Sequence, residues 1–495
     1  MSRYPVVIFF RYDKYNDADE LVKNPALKCD VRITNDPKYI EKLYSTDFHI
    51  LVTYGPNEEE YHKDVNPIIC QRLRKRWIHH SKKIDPNQFE RGVNYCFIDN
   101  VIKQRDETRP TFSVFTTCFN SFDKINRPYF SLKMQEEKDW EWVIVDDSTD
   151  EANWGHIKNK FKDEPKIRIY KRAQNSGNIG NVKNEAIGLC RGKFILELDH
   201  DDEILPSLLK DAVDGFTKYP HVDFIYMDFI NLYENGKNFS YSDFLCKGFG
   251  GYYYQYYSQT QTWVKVYVTP QINNITASYL FCMPNHPRIW RREPLLQIGS
   301  YSEFLPICDD QEILLRTILN LKMLKIPKFS YVQYFNNNNS NFSLIRNGEI
   351  NRLGPNHLTP QFKTNFPLEN KFKMLGAQED SRYDTQPVQV WKRENYVPNY
   401  INEIYNPDYD KQLCIISLQT LKDNLEEIKK EAINLRTDII LLVNSGTMEQ
   451  MAEFLKVNNL RKVKFYILKD ASMEALIKYF HYIYRSVKEF KIYAP

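Results

Sequence analysis

Residues 197–206 read ELDHDDEILP. Phe194, Ile195 and Leu196 lead in, four acids follow (Asp199, Asp201, Asp202 and Glu203), and Ile204-Leu205 resumes the apolar run. Apolar residues entering a cluster of acids describe a buried strand whose carboxyl end opens into a site. In open α/β sheets, ligands collect at such ends. Carboxylates packed together repel one another unless a cation or a proton intervenes. Oxygen ligands of this kind suit Mg²⁺ or Mn²⁺, which keep waters and take up a substrate diphosphate as well. A blander reading stays open here: an acidic loop before the helix that Pro206 opens, since acids favour helix N-termini.

Upstream, FSVFTTC (112–118) is strand-like, and a helix is expected near Ile125–Met134. Trp142–Val145 is a second strand that ends in Asp146-Asp147-Ser148, where Ser148 or Asp150 can cap the next helix. Ile167–Tyr170 is a third. In NSGNIGNVKNEAIG (175–188), Gly177 and Gly180 read as a permissive turn into a helix with a Val182, Ala186, Leu189 stripe. Such a turn can cradle phosphate. Downstream come a helix at 207–216 and a strand at 222–227. FGGYYYQYYSQTQTW (249–263) reads either as a hinged aromatic lid that stacks on a sugar or as an edge hairpin. Asp309-Asp310 and Glu312 then open a helix with Ile313, Leu314 and Thr317 on its apolar face. These acids are helix-end caps, or they supply a general base separate from the metal.

At 495 residues the chain exceeds one core, and three units fit its composition. Residues 1–109 alternate strands (5–11, 29–34, 49–54) with helices around 17–23 and 37–44. RLRKRWIHHSKK (72–83) reads as a solvated helix face in preference to a phosphate- or membrane-binding patch. The central unit is 110–345 and includes the loop-like NNNNSN at 336–341. Residues 346–386 read as linker or wrapping sequence. Residues 387–495 form a third α/β unit, with strands at 413–418, 439–443 and 464–468. Its helices fall near 421–435, 448–457 and 473–487. The last is a docked helix or a membrane-surface one, so peripheral membrane contact stays open. Lys+Arg 67 against Asp+Glu 64 argues against a dedicated nucleic-acid binder. Nine cysteines without a CxxC pair fit a reducing compartment. With no signal peptide and no run of transmembrane length, a cytoplasmic protein is expected.

Five motifs in order carry a resemblance: FSVFTTCFN (112–120), VIVDDSTD (143–150), NSGNIGNVKNEAI (175–187), ELDHDDEILP and IWRREPLLQIGSYSEFLPICDDQEILLR (289–316). Together they resemble inverting glycosyltransferases of family 2, over roughly residues 111–335. The resemblance implies a central GT-A domain with a mixed, mainly parallel sheet, flanked by smaller N-terminal and C-terminal α/β domains. It implies a metal-dependent, inverting sugar transfer from a nucleotide-diphosphate sugar to a hydroxyl of a glycan, protein or lipid. Asp147 would accept from the nucleotide base and Phe119 would lie against that base. Asn120 and Asn184 would shape the donor pocket. Asp199 and Asp201 would form the DXD that holds Mn²⁺ or Mg²⁺, with Asp201 in direct contact. Asp310 would be the catalytic base. A carboxylate on the base suits a ring N3–H, hence UDP- or dTDP-sugars. The asparagine run stands where relatives often carry a histidine, so water or His286 would complete the metal set. Asp309-Asp310 replaces the usual Glu-Asp. A non-catalytic nucleotide-sugar or glycan-binding protein, and a nucleotidyltransferase, are the competing readings.

Overall fold

The computed structural model describes residues 6–27, 29–37, 50–62, 64, 77–83, 85–97, 109–172, 175–240, 252–269, 272, 284–303, 305, 307–335, 347–353, 402–404, 411–434, 436–443, 447–467 and 489–493. Four parallel strands make the N-terminal sheet, in the order Asp30–Thr34, Val6–Phe10, Ile50–Tyr54, Trp77–His80. Phe89 and Val93 of the helix Pro86–Phe97 close one face. Trp77–His80 is a strand, which corrects the helix-face reading for that part of 72–83; residues 72–76 lie outside the described residues. Four residues with two apolar side chains give little periodicity beside a basic flank, and only pairing with Leu51–Tyr54 makes them a strand. The helix expected at 37–44 lies almost wholly outside the described residues.

The central sheet begins at Phe112–Cys118. The chain steps outward through Trp140–Asp146 to Ile167–Lys171, all parallel. It then returns to the far side of the first strand at Phe194–Glu197. Beyond lie Arg288–Arg291 and Phe224–Tyr233, antiparallel, and Met323–Phe335, parallel to 224–233. Both sheet faces are covered, which is why these strands read as nearly unbroken apolar runs. Val114, Trp142 and Leu196 face the helices Asn126–Lys133, Glu151–Phe161 and Leu208–Lys218. Phe115, Val143 and Ile195 face the helices Ile179–Leu189 and Asp309–Asn320. The direction of travel reverses between Phe112–Cys118 and Phe194–Glu197, so the carboxyl ends of these neighbours bound the crevice where such sheets bind ligands.

The aromatic stretch is a hairpin, Tyr252–Tyr257 with Thr262–Tyr267, and not a lid. Tyr267 pairs with Phe229 and Tyr254 with Phe465, so the hairpin joins the central sheet to the C-terminal one. Gly250 and Gly251 lie outside the described residues. Tyr253, Tyr257 and Val266 share one core with Ile230, Phe329, Cys414, Ile440 and Tyr466. Burial of these rings between two sheets is what removes the freedom a lid requires. The C-terminal strands are parallel in the order Glu489–Tyr493, Lys411–Ile415, Thr437–Val443, Lys464–Ile467. Glu489–Tyr493 was not expected from EFKIY; the 473–487 helix and 336–341 lie outside the described residues. One detail adjusts the 346–386 linker and another the 387–495 unit. The helix Asn347–Leu353 packs Ile350 and Leu353 on the central core, and Asn402–Ile404 pairs with Met323–Lys325 of the central sheet. No helix among the described residues is long and apolar enough to cross a membrane.

Gly177 has φ +65° and supplies the turn before the helix Ile179–Leu189. Gly180 acts differently from the expected turn residue. It sits inside the helix, where an added Cβ would stand 2.0 Å from the Ser302 carbonyl oxygen. Gly180→Ala is therefore expected to lower stability by about 1–3 kcal/mol, read as a reduced urea midpoint. Gly188→Ala, with open space around it, is the control that should not.

Candidate functional site

Three parallel strands deliver their carboxyl ends to one place. Asp147 N–H donates to the Cys118 carbonyl (2.9 Å), and Thr116 Oγ1 donates to the Leu198 carbonyl (2.6 Å). Phe119 and Asn120 therefore lie beside Asp147 and Asp199. Phe119 is 52% exposed, an open aromatic face at the rim. Asn120 is left-handed (φ +48°), and its N–H donates to Ser148 Oγ at 2.7 Å. Ser148 thus ties two loops, while Asp150 caps the following helix through Ala152 N–H.

The acid loop hangs from a strand opposite. Glu203-Ile204 pairs with Tyr331-Val332. The Tyr331 hydroxyl donates to Asp202 Oδ2 (2.9 Å) and accepts from Asp199 N–H (3.4 Å). The His286 ring stacks on Tyr331, with centroids 4.6 Å and planes 10° apart. Donor atoms of Asp199, Asp202 and His286 all lie within 4.8 Å of one another. Asp201 is outside that group. It is partly exposed, and its backbone carbonyl accepts from Arg127 (3.1 Å). The group therefore differs from the expected pair by exchanging Asp201 for Asp202 and adding the imidazole.

Behind the loop lies a buried ion network. Lys183 Nζ meets Glu197 Oε1 and Asp309 Oδ2, both at 2.7 Å. Glu197 Oε2 takes Arg288 Nη1 (3.1 Å) and the Tyr301 hydroxyl (2.7 Å). Arg288 Nη2 reaches Asp310 Oδ2 at 3.1 Å. Two cations face three carboxylates in this set, so one negative charge is in surplus. The carboxylate that reaches solvent is Asp310: its side chain is 30% exposed, against 2% for Glu197 and 11% for Asp309. Desolvation acts to raise the Asp310 pKa, but Arg288 and Lys183 outweigh it and hold it below the ordinary carboxylate range. Asp309 moves the other way, raised by burial despite Lys183. The adjacent acids are thus unlike: Asp309 faces inward to a lysine, and Asp310 stands ionised at the opening.

The donor-side residues are more committed than their sequence suggests. Asp147 accepts from Ser176 N–H (3.0 Å), Ser176 Oγ (3.0 Å) and Asn175 Nδ2 (3.0 Å), and pairs with Arg172 Nε (3.2 Å). Four donors match the roughly four lone-pair sites of a carboxylate. The Ser176 hydroxyl has a second acceptor, the Asn178 carbonyl at 2.9 Å, so its rotation would open one site on Asp147. The glycine turn presents its Ser176 amide to this carboxylate, which is where a phosphate cradle would need it. Asn184 is occupied by the chain itself. Its Nδ2 donates to Tyr301 O and Glu303 Oε1 (both 2.8 Å), and its Oδ1 accepts from Tyr301 N–H (2.8 Å). It pins residues 301–303.

The residues present fit a divalent cation. Desolvation, then the charges of Glu197 and Asp201, push Asp199 up to about 7. Desolvation and the neighbouring carboxylates raise Asp202 as well. Burial and Arg288 lower His286 to about 3, so its imidazole is neutral and able to ligate. Its buried Nδ1 has no hydrogen-bond partner. Crowded carboxylates beside a neutral, under-bonded imidazole form a donor set whose repulsion a cation relieves. Lys183, Glu197, Arg288 and Tyr331 had no signal of their own in the sequence. They lie on ordinary strand and helix positions and acquire meaning only through their partners.

Residues 113–281 match the profile of Glycosyl transferase family 2. A poly(ribitol-phosphate) β-N-acetylglucosaminyltransferase, TarS, of Staphylococcus aureus strain Mu50 is 34% identical over 115 residues, 23% of this chain and 20% of that one. A chondroitin synthase of Escherichia coli is 29% identical over 109 residues, 22% of this chain and 16% of that one. Across the leading curated relatives the chain covers 10–20% of their own length. Among solved structures, S. aureus TarS 1–349 in complex with UDP overlays with a TM-score of 0.36 at 21% identity, covering 55% of this chain and 80% of that one. Residues 113–281 of the chain are thus similar to glycosyl transferase family 2.

Proposed function

We propose that this protein transfers a sugar from a nucleotide-diphosphate donor to an acceptor hydroxyl, with inversion at the anomeric carbon. The observation that carries the reading is Arg288. It bonds Glu197, two residues before Asp199, and also Asp310. The strand end that leads into the acid loop and the candidate base are therefore tied to one guanidinium, the nearness that an in-line displacement would require. Asp199, Asp202 and His286 would hold the cation, with Asp201 as the alternative ligand. Bound there, Mn²⁺ or Mg²⁺ would offset the charge that develops on the departing diphosphate. A nitrogen among the ligands favours Mn²⁺. Asp310 would take the acceptor proton as the new bond forms. Arg288 aims that carboxylate and keeps it ionised, while Glu197, itself paired with Lys183, holds Arg288 in place.

On the donor side, Asp147 would accept the N3–H of uracil or thymine once Ser176 turns toward Asn178. Phe119 would cover the base, with Asn120 beside it helping to shape the donor pocket and Asn184 acting through the segment it pins. The acceptor is a glycan or a glycan-bearing protein or lipid. The units 1–109, 110–345 and 387–495 carry over into this reading, with 402–404 reassigned to the transferase unit and 346–386 running between. Cytoplasmic placement belongs to the same reading.

Asp310→Asn should bind donor about as tightly as the wild type but transfer 10²–10⁴-fold more slowly, roughly the worth of a general base. Measured turnover on a panel of UDP-, dTDP- and GDP-sugars decides this; unchanged turnover removes Asp310 from the chemistry. A second prediction follows from Asp199. Below pH 7 its proton competes with the cation, and above pH 7 it does not. Calorimetric Mn²⁺ affinity should rise about tenfold between pH 6 and pH 8, with proton release. A flat profile would exclude Asp199 as a ligand. In the same titration Asp202→Asn should weaken Mn²⁺ more than Asp201→Asn, and the reverse order would restore Asp201 as the direct ligand.

A further inference from the structure

We infer that Tyr334 and Arg127 are positioning residues that hold the acid loop at the height a cation needs. The inference rests on the metal reading above. The pairing between Glu203-Ile204 and Tyr331-Val332 ends at Glu203 opposite Val332. The next amide on the same edge of that strand is Tyr334 N–H, because alternate amides point to one side. It finds no further backbone partner in the loop and donates instead to Asp202 Oδ1 at 2.8 Å. The Tyr334 hydroxyl donates to Glu203 Oε1 at 2.9 Å. The Tyr334 ring carries the Arg127 guanidinium 3.9 Å above its centroid, and Arg127 Nη1 donates to the Asp201 carbonyl at 3.1 Å.

Three consecutive loop residues are thus held from one tyrosine: Asp201 through Arg127, Asp202 through an amide and Glu203 through a hydroxyl. Arg127 comes from the helix Asn126–Lys133 and is itself fixed by both oxygens of Glu234, past the end of Phe224–Tyr233. Two elements, the helix Asn126–Lys133 and the strand Met323–Phe335, therefore meet on the loop, and a third braces Arg127 through Glu234. A carboxylate that already receives an N–H on one oxygen and the Tyr331 hydroxyl on the other keeps one lone pair per oxygen in a set direction. The Tyr334 amide and the Tyr331 hydroxyl fix that direction on Asp202, while the Tyr334 side chain and Arg127 fix Glu203 and the Asp201 carbonyl on either side of it before a cation arrives; groups one step behind metal ligands act in this way.

The test uses the full chain with UDP present, and reads Mn²⁺ affinity by calorimetry beside melting temperature. Tyr334→Leu removes the platform and the hydroxyl, Tyr334→Phe only the hydroxyl, and Arg127→Gln the bond to Asp201 together with the Glu234 pair and the guanidinium over the ring. Tyr334→Leu and Arg127→Gln should weaken Mn²⁺ about tenfold or more, the usual effect of losing a group behind a ligand. Tyr334→Phe should fall between them and the wild type, and kcat at saturating Mn²⁺ should stay within about threefold, the signature of a lost ground-state contact. Unchanged Mn²⁺ affinity in Tyr334→Phe and Arg127→Gln overturns the inference, as does a loss that tracks melting temperature alone, matched by Gly180→Ala. If Tyr334→Leu does not fold, the other two variants decide. A wild-type protein that binds no divalent cation overturns the metal reading and this inference together.

Discussion

Glu197 is the residue on which the site depends, because one buried carboxylate is bonded to both cations that organise the cleft. Its two oxygens take Lys183, Arg288 and the Tyr301 hydroxyl, at 2% exposure. Removing one partner of a buried pair typically costs about 3–5 kcal/mol, since the other charge is left without compensation. The set is thus hard to break by parts. Its excess charge emerges at Asp310, the member nearest to solvent. Folding energy and chemistry are coupled here: the contacts that make burial tolerable also keep Asp310 ionised.

The same strand end organises the other half of the cleft. Leu198 is fixed by Thr116, and the chain then turns into Asp199 and the acids after it. Those acids are not free in a loop. Tyr331, Tyr334 and Arg127 reach them from the far wall, and His286 is stacked into the same group. Burial, and after it the crowding of neighbouring carboxylates, raises the proton affinity of Asp199 and Asp202, and a cation would relieve that repulsion. The C-terminal unit is welded to this wall through the aromatic hairpin, whose strands carry pairing from Phe229 to Phe465. Part of the surface that might have been a mobile cover is instead internal structure.

Much of the central unit was legible in the chain. Strands buried on both faces leave unbroken apolar runs, and FSVFTTC and FILE matched their observed spans closely. The acid cluster after Leu198 and the pair at 309–310 were visible as motifs. Short or half-polar strands were not: WIHH and EFKIY became strands through pairing that no local pattern announces. Aromatic density misled in another way, since tyrosines at a sugar-stacking surface and tyrosines in a sheet junction have the same composition. Gly180 looked like turn chemistry but answers to the nearness of Ser302.

By itself, the sequence determined the order of elements, the sheet that carries the site, and which acids stand at strand and helix ends. These follow from local periodicity and from the few residue types that tolerate such ends. Tertiary structure alone decided which acid faces a lysine and which faces solvent, why Asp202 joins Asp199 and His286, and how fully Asp147 and Asn184 are already bonded. The physical reason is that a carboxylate's charge, direction and spare lone pairs are set by its neighbours. Those neighbours, Arg288, Lys183, Tyr331 and Tyr334, arrive from distant parts of the chain only when the sheet has closed.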